Sequence, residues 1–359
     1  MSGDQLPAGR TESVERLLRS ADGRIGEALK TVLRRDSQAW MECVRRLVEC
    51  AALAPSTHNT QPWLFIVGPV GHDEIRVWAD RSRWLPVTDP DRRELYLSVG
   101  CAIENILVAA EHLGLAASVQ YFPDPVQDDF IARVRLDEGG ALTKARADLL
   151  DAIRTRRTVY ELYDGRPITS SAMAHLRDVV LEPEVQLLFH TSLEVRAVVE
   201  RLVARADAIQ FADPEFRTEL AECIGRGAYG APWLLAKLGQ MAIALLDLGE
   251  SAARRDVNVL MSSPLVAIVA TSEDRLRAHV RAGQVFERLH LAATACGISL
   301  QPMNQVIQVP TLRAELLPAV APELAADLHP QMLVRLGYSS ALAASPPRRP
   351  LEELLTADR

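Results

Sequence analysis

Apolar residues recur at helical spacing across residues 39–53, and the chain then enters a loop opened by Pro55. Residues 64–67 and 75–78 are short apolar runs, which predict two strands joined by a turn over 68–73. A charged, proline-punctuated loop occupies 81–93. Residues 94–113 carry a long amphipathic helical pattern stopped by Gly114, a normal helix end. Residues 116–122 and 131–136 read as further strands. The pattern then restarts. A helix is predicted over 148–158, another over 173–180, a strand over 186–190 and helices through 193–224. A buried strand follows at 266–270, then an Ala-rich helix over 283–296 stopped by Gly297.

The two long helices echo each other. Glu104-Asn105-Ile106-Leu107-Val108-Ala109-Ala110 with Gly114-Leu115 parallels Glu287-Arg288-Leu289-His290-Leu291-Ala292-Ala293 with Gly297-Ile298. Each is followed by a polar loop containing a proline and by strand-like sequence. Two such units point to an internal repeat. The organisation expected is an N-terminal extension over 1–35, a first half over 36–147 and a second half over 148–359.

Composition narrows the function. The 359 residues are 48% hydrophobic and 24% charged, an ordinary globular balance with enough apolar side chains for a large core. A net charge of −7 argues against a broad nucleic-acid surface, so arginine clusters must be local sites. The five cysteines are scattered without a Cys-x-x-Cys pair, which argues against a zinc site or disulfide framework. Cys101 and Cys296 read as small core residues. No histidine has metal-binding spacing, and no Gly-x-Gly-x-x-Gly follows a strand. Residues 1–35 lack a signal-peptide core, and Lys237, Asp247 and Asn258 interrupt the longest apolar runs. A soluble cytoplasmic protein is expected, without membrane or nucleic-acid partners.

The densest set of polar side chains lies at 54–65. Ser56, Thr57, Asn59, Thr60 and Gln61 offer donors and acceptors between Pro55 and Pro62, without adding charge. As composition alone this is a helix-to-strand turn rich in turn formers. The order of the residues gives a second reading. Pro55-Ser56-x-x-Asn59-x-Gln61-Pro62-Trp63 closely resembles the flavin-contacting loop of the nitroreductase family, FMN-dependent enzymes with a mixed α/β fold. The His58-Asn59-Thr60-Gln61-Pro62-Trp63 form is most similar to that family's Acg-type branch. The fold this implies is α+β, a nitroreductase-like mixed sheet flanked by helices and duplicated as an intramolecular pseudo-dimer.

Three further segments take meaning from the resemblance. Arg154-Thr155-Arg156-Arg157-Thr158 is either an exposed basic helix end or a phosphate grip, since guanidinium groups chelate phosphate in bidentate fashion. The resemblance implies phosphate contacts from Arg156 and Thr158, with Arg157 beside the ribityl chain. Tyr160 stands where the family often has another basic residue. Ser345-Pro346-Pro347-Arg348-Arg349-Pro350 is a solvated tail or, by resemblance, the closing arginine of the same phosphate site. Arg348 matches that arginine better than Arg349. Pro302, Met303, Asn304 and Gln305 are a polar-tipped turn or, by resemblance, the loop along the flavin ring edge, where a backbone N–H would stabilise reduced flavin.

The Pro-Ser loop occurs only in the first half and the arginine and ring-edge segments only in the second. The expectation is one FMN site built between the halves of a monomer or weak homodimer. Residues 207–257 depart most from the family, and their glycines suit either a lid or core packing. The resemblance implies an oxidoreductase that passes electrons from NAD(P)H through FMN to a small acceptor such as a nitroaromatic or quinone. The alternatives are an FMN-sequestering protein with an occluded flavin, or an oxidase or dehydrogenase acting on a specialised metabolite.

Overall fold

A computed structural model describes residues 38–68, 73–228, 249–341 and 345–356. The N-terminal extension, most of the turn expected over 68–73, and the centre of the segment read as a lid lie outside these residues. Helix α1 (Gln38–Ala52) leads to strands β1 (Trp63–Val67) and β2 (Glu74–Ala79), helix α2 (Arg93–His112), and strands β3 (Leu115–Tyr121) and β4 (Phe130–Glu138). Helices α3 (Leu150–Thr155) and α4 (Ser170–Arg177) precede strand β5 (Val185–His190). Helices α5 (Leu193–Ala212), α6 (Pro214–Gly225) and α7 (Gly249–Met261) precede strand β6 (Leu265–Thr271). The chain closes with helix α8 (Leu276–Ala295), strand β7 (Ser299–Pro302), helices α9 (Gln305–Gln308) and α10 (Pro310–Val320), strand β8 (His329–Gly337) and helix α11 (Leu351–Leu354).

The strands form two four-stranded sheets of the same order, β1-β2-β4-β3 and β5-β6-β8-β7. All pairs within each sheet are antiparallel. One parallel bridge at an edge of each, Phe65 with Leu355 and Thr158 with Leu300, makes the sheets mixed. In each sheet the second strand shifts register against the fourth, at Val77/Trp78 and at Val269/Ala270. One core runs through both halves, from Trp40 and Leu47 to Val334 and Leu354. A second core, with Val266, Ile268, Leu312 and Leu333, fills the other face of the second sheet.

Helices α2 and α8 cross at the centre, each 20 residues long and buried along nearly its whole length. The contact is reciprocal. A Cβ on Gly100 would lie 2.1 Å from the Val280 carbonyl oxygen, and one on Gly283 would lie 2.0 Å from that of Leu97. Gly100 and Gly283 hold the same position in their helices, so the pairing has the form of a two-fold contact between unlike sequences. Both helices end at the expected glycines, Gly114 at φ +72° and Gly297 at φ +69°.

Next to this crossing lies a buried charge cluster. Glu104 accepts hydrogen bonds from Arg288 Nε (2.7 Å) and Nη2 (2.8 Å) and from Arg146 Nε (2.7 Å). Arg288 also reaches Glu182, at 3.0 Å through both terminal nitrogens. Burial alone would raise the Glu104 carboxyl, but Arg146 and Arg288 outweigh it and bring it down to about 2.

Three sequence-based boundaries need correction. The helix expected over 148–158 stops at Thr155, because Arg156 turns to ψ 127° and Thr158 pairs with Leu300 instead. The helix expected over 173–180 starts at Ser170, where the Thr169 hydroxyl accepts the Ala172 N–H. Helix α8 begins at Leu276, ahead of the expected 283, because Arg277 and Arg281 break up its apolar pattern.

Gly100→Ala and Gly283→Ala should each destabilise the protein by at least about 2–3 kcal/mol, since backbone rather than a flexible side chain must yield. Wild-type-like urea midpoints for both would contradict the close crossing. Because the folded-state pKa of Glu104 is depressed, its stabilisation is present above about pH 4.5 and should fade as pH falls toward 2. Glu104→Gln, measured by thermal unfolding against pH, should lack that acid limb and lose about 3–5 kcal/mol at pH 7.

Candidate functional site

Helix α1 ends against the polar loop, whose backbone is strained. His58, Asn59 and Gln61 take φ values of 46°, 54° and 50°, in the left-handed region that costs a non-glycine residue about 1–2 kcal/mol. The Ser56 hydroxyl accepts the Gln61 N–H at 2.9 Å. The remaining restraint comes from the far end of the chain. Asn59 Nδ2 and Gln61 Nε2 donate to the Pro347 carbonyl (2.9 and 3.2 Å), and Gln61 Oε1 accepts the Arg349 N–H (2.9 Å). The Arg349 guanidinium bonds the Gln61 carbonyl (3.0 Å) and Asp80 (3.2 Å). Beyond it, Thr356 N–H donates to the Phe65 carbonyl, tying the C-terminal strap to β1.

Loop, strap and the segment after α3 enclose a cavity of about 280 Å³. Pro55, Ser56 and Asn59 come from the loop, Arg156, Arg157 and Thr158 from the chain after α3, and Arg348 from the strap. His58, Tyr160 and Ala228 also line it. Residues as far apart in sequence as Pro55 and Arg348 therefore share one wall, which carries three guanidinium groups.

Those guanidiniums are held by backbone carbonyls. Arg348 donates to Ala54 (2.7 Å) and Leu53 (3.0 Å), and Arg156 donates to Leu53 (3.1 Å). Arg157 donates to the carbonyls of Arg154 (2.9 Å) and Arg156 (2.7 Å). Burial and then the Arg156 charge push Arg348 down to about 9. Burial and then Arg156 also lower Arg157. Burial lowers His58 too, keeping its imidazole neutral near pH 7. Crowded, partly desolvated cations of this kind suit an anion with several acceptor oxygens, phosphate above all.

Other sequence-selected residues lie behind the wall. Thr57 donates to Glu94 at 2.8 Å, and Gln61 is spent on the strap. Pro302, Met303, Asn304 and Gln305 do not line the cavity. Met303 is fully buried, Asn304 Nδ2 donates to Glu94 (3.0 Å), and Gln305 Nε2 donates to Asp256 (2.8 Å) and Asp207 (3.3 Å). Glu94 is thus the meeting point of the polar loop and the 302–305 segment, because Gln308 also donates to it at 3.0 Å. Sequence reasoning missed Glu94, which lies in the first turn of α2 and is 1% exposed. It also missed Glu287, whose carboxylate lies 3.6 Å from Arg156 Nε. Among the described residues no group of three or more His, Cys, Asp or Glu could hold a metal, and no helix is long and apolar enough to cross a membrane.

No family model matches the chain. Curated relatives do. The "Putative NAD(P)H nitroreductase Rv3131" of Mycobacterium tuberculosis is 31% identical over 324 residues, covering 87% of this chain and 90% of the relative. The "Putative NAD(P)H nitroreductase acg" of the same species is 23% identical over 334 residues, covering 89% and 97%. Solved structures are more distant. A Bacteroides fragilis nitroreductase with bound FMN is 20% identical, with a TM-score of 0.36 over 56% of this chain and 94% of that one. The nitroreductase NfnB of Mycobacterium smegmatis, in complex with NADPH, is 19% identical, with a TM-score of 0.35 over 59% and 100%. The sequence relatives, matched along nearly their whole length, decide the assignment: the chain belongs to the nitroreductase family, in the branch that includes Acg.

Proposed function

We propose that the cavity holds the phosphate end of FMN and that the protein is an NAD(P)H-dependent oxidoreductase of the cytoplasm. The observation that carries the reading is the convergence of Arg156, Arg157 and Arg348 on one wall with Ser56, Asn59 and Thr158. The donor set fits the group: guanidiniums for a phosphate dianion, and uncharged hydroxyl and amide groups for a polyhydroxyl chain. At about 280 Å³ the cavity is near the lower end of small-molecule sites, a size that suits the phosphate and ribityl portion. Bound FMN would supply the redox chemistry, taking hydride from NAD(P)H and reducing a nitroaromatic or quinone. The chain's part is to fix the phosphate with Arg156, Thr158 and Arg348, order the ribityl chain with Ser56, Asn59 and Arg157, and shape the approach to the ring. Pro55, Thr57 and Gln61 set the backbone of that loop, and residues 302–305 would flank the ring edge. Two halves, 36–147 and 148–359, would act as an internal pseudo-dimer with a single site, so the protein would work as a monomer.

One observation favours a second reading, an FMN-sequestering protein. The cavity is walled by Ala228, three residues past the end of α6, and by Pro346 of the strap, and a Cβ on Gly227 would lie 3.3 Å from Pro347. A site closed on that side would restrict an acceptor's approach to the flavin.

Purified protein should carry one FMN per chain, quantified from its visible spectrum after heat release. Arg156→Ala combined with Arg348→Ala should weaken FMN binding by at least about a hundredfold, from two lost charge-assisted contacts. Full stoichiometric FMN in the double variant would overturn the assignment. Anaerobic NAD(P)H should bleach the flavin. Bleaching by dithionite alone would favour sequestration.

A further inference from the structure

The repeated helices place a glutamate at matching positions, and the two glutamates have opposite fates. Glu104 on α2 is fully satisfied by Arg146 and Arg288. Glu287 on α8 is 0% exposed, and neither of its carboxylate oxygens has a hydrogen-bond partner of normal geometry, the Asn105 amide and Arg156 being its polar neighbours. Arg156 Nε, 3.6 Å away, is buried and unpartnered as well. A buried carboxylate in this position acts on the cavity from behind, through the guanidinium that faces it.

The groups around Glu287 define its charge balance. Arg156 approaches from the chain after α3, and Arg348 contributes its field from the strap. From α2 come the negative Glu104, the neutral amide of Asn105 and the thiol of Cys101. On α8 itself, His290 is fully buried, and burial followed by Arg156 keeps it neutral. The cations are the same ones proposed to grip a phosphate. An anion in the cavity and a charge on Glu287 therefore compete for Arg156 and Arg348.

Resting on the FMN reading, we propose that Glu287 is the internal counter-ion of the phosphate site, a positioning residue that is held protonated while a phosphate occupies the cavity and is free to ionise in mildly alkaline solution once it leaves. Atoms balance simply: where the free carboxyl is ionised, one proton enters from solvent as FMN phosphate binds and returns on release. Burial, only partly offset by Arg156 and Arg348, pushes the Glu287 carboxyl up to about 8 in the free protein. A nearby dianion raises a carboxyl further, so the bound state holds more protons, and binding must weaken as pH rises through about 8.

The test is isothermal titration of the apoprotein with FMN from pH 7 to 8.5, in buffers of different ionisation enthalpy. FMN phosphate is already a dianion over most of this range, because its second pKa is about 6. Proton uptake should be small at pH 7 and climb toward one proton per FMN as pH passes about 8. Affinity should fall above that point, by at most about tenfold per pH unit. Glu287→Gln should bind FMN with much less uptake and a flatter profile, the remaining uptake near pH 8.5 belonging to Arg348, which burial and Arg156 push down to about 9. Glu287→Met gives the same readout if the amide proves hard to bury. Binding of FMN by wild type without proton uptake overturns the proposal and leaves the FMN reading intact, as does equal uptake in a folded variant. Failure to bind FMN at any pH overturns both.

Discussion

The crossing of α2 and α8 is the contact on which the rest of the architecture depends. Two backbones can approach this closely only where both helices carry glycine at the crossing, and each glycine meets the other helix's carbonyl. The sheets then lie to either side, and a single apolar core spans both halves. Burial of charge follows. Glu104 and Arg288 lie on the two crossing helices in direct contact, and each is neutralised by further partners, Arg146 and Glu182. A pair of this kind fixes which face of one helix meets which face of the other more firmly than it adds net stability.

The strap is the second tie between the halves. Its arginines divide their work. Arg348 lines the cavity beside Arg156, while Arg349 turns away from it onto the buried Gln61 and Asp80. The left-handed backbone at His58, Asn59 and Gln61 persists because the strap satisfies the side-chain amides that such a loop exposes. Strain and restraint are therefore located together, at the place where the candidate phosphate site is built.

Much of this was legible in the sequence. The long apolar helix pattern, its glycine stop and its echo near Gly297 gave α2, α8 and the repeat within a few residues, because burial on all sides leaves a continuous apolar signal. The polar loop and the arginine segments stood out because order, more than composition, distinguished them from turns and tails. Arg348 was separated from Arg349 by the match alone; Arg348 bonds the Ala54 carbonyl and Arg349 bonds Asp80. Glu94 and Glu287 were not legible. A glutamate in a helix is ordinarily solvated, and nothing local in the sequence shows that a second helix or a strap will bury it. The placement of residues 302–305 behind Glu94 was invisible for the same reason: it depends on a partner some two hundred positions away.

The strap also sets an order of events at synthesis. The bonds that restrain the polar loop join residues 286 to 288 positions apart, so they cannot form until residues 347–349 have left the ribosome. Most helices and strands and much of the apolar core can assemble from contacts made earlier, whereas the cavity gains its Arg348 wall only once the strap has been translated. Completion of the candidate site is thereby deferred until the strap has emerged, and a product truncated before it would retain much of the core without the Arg348 wall.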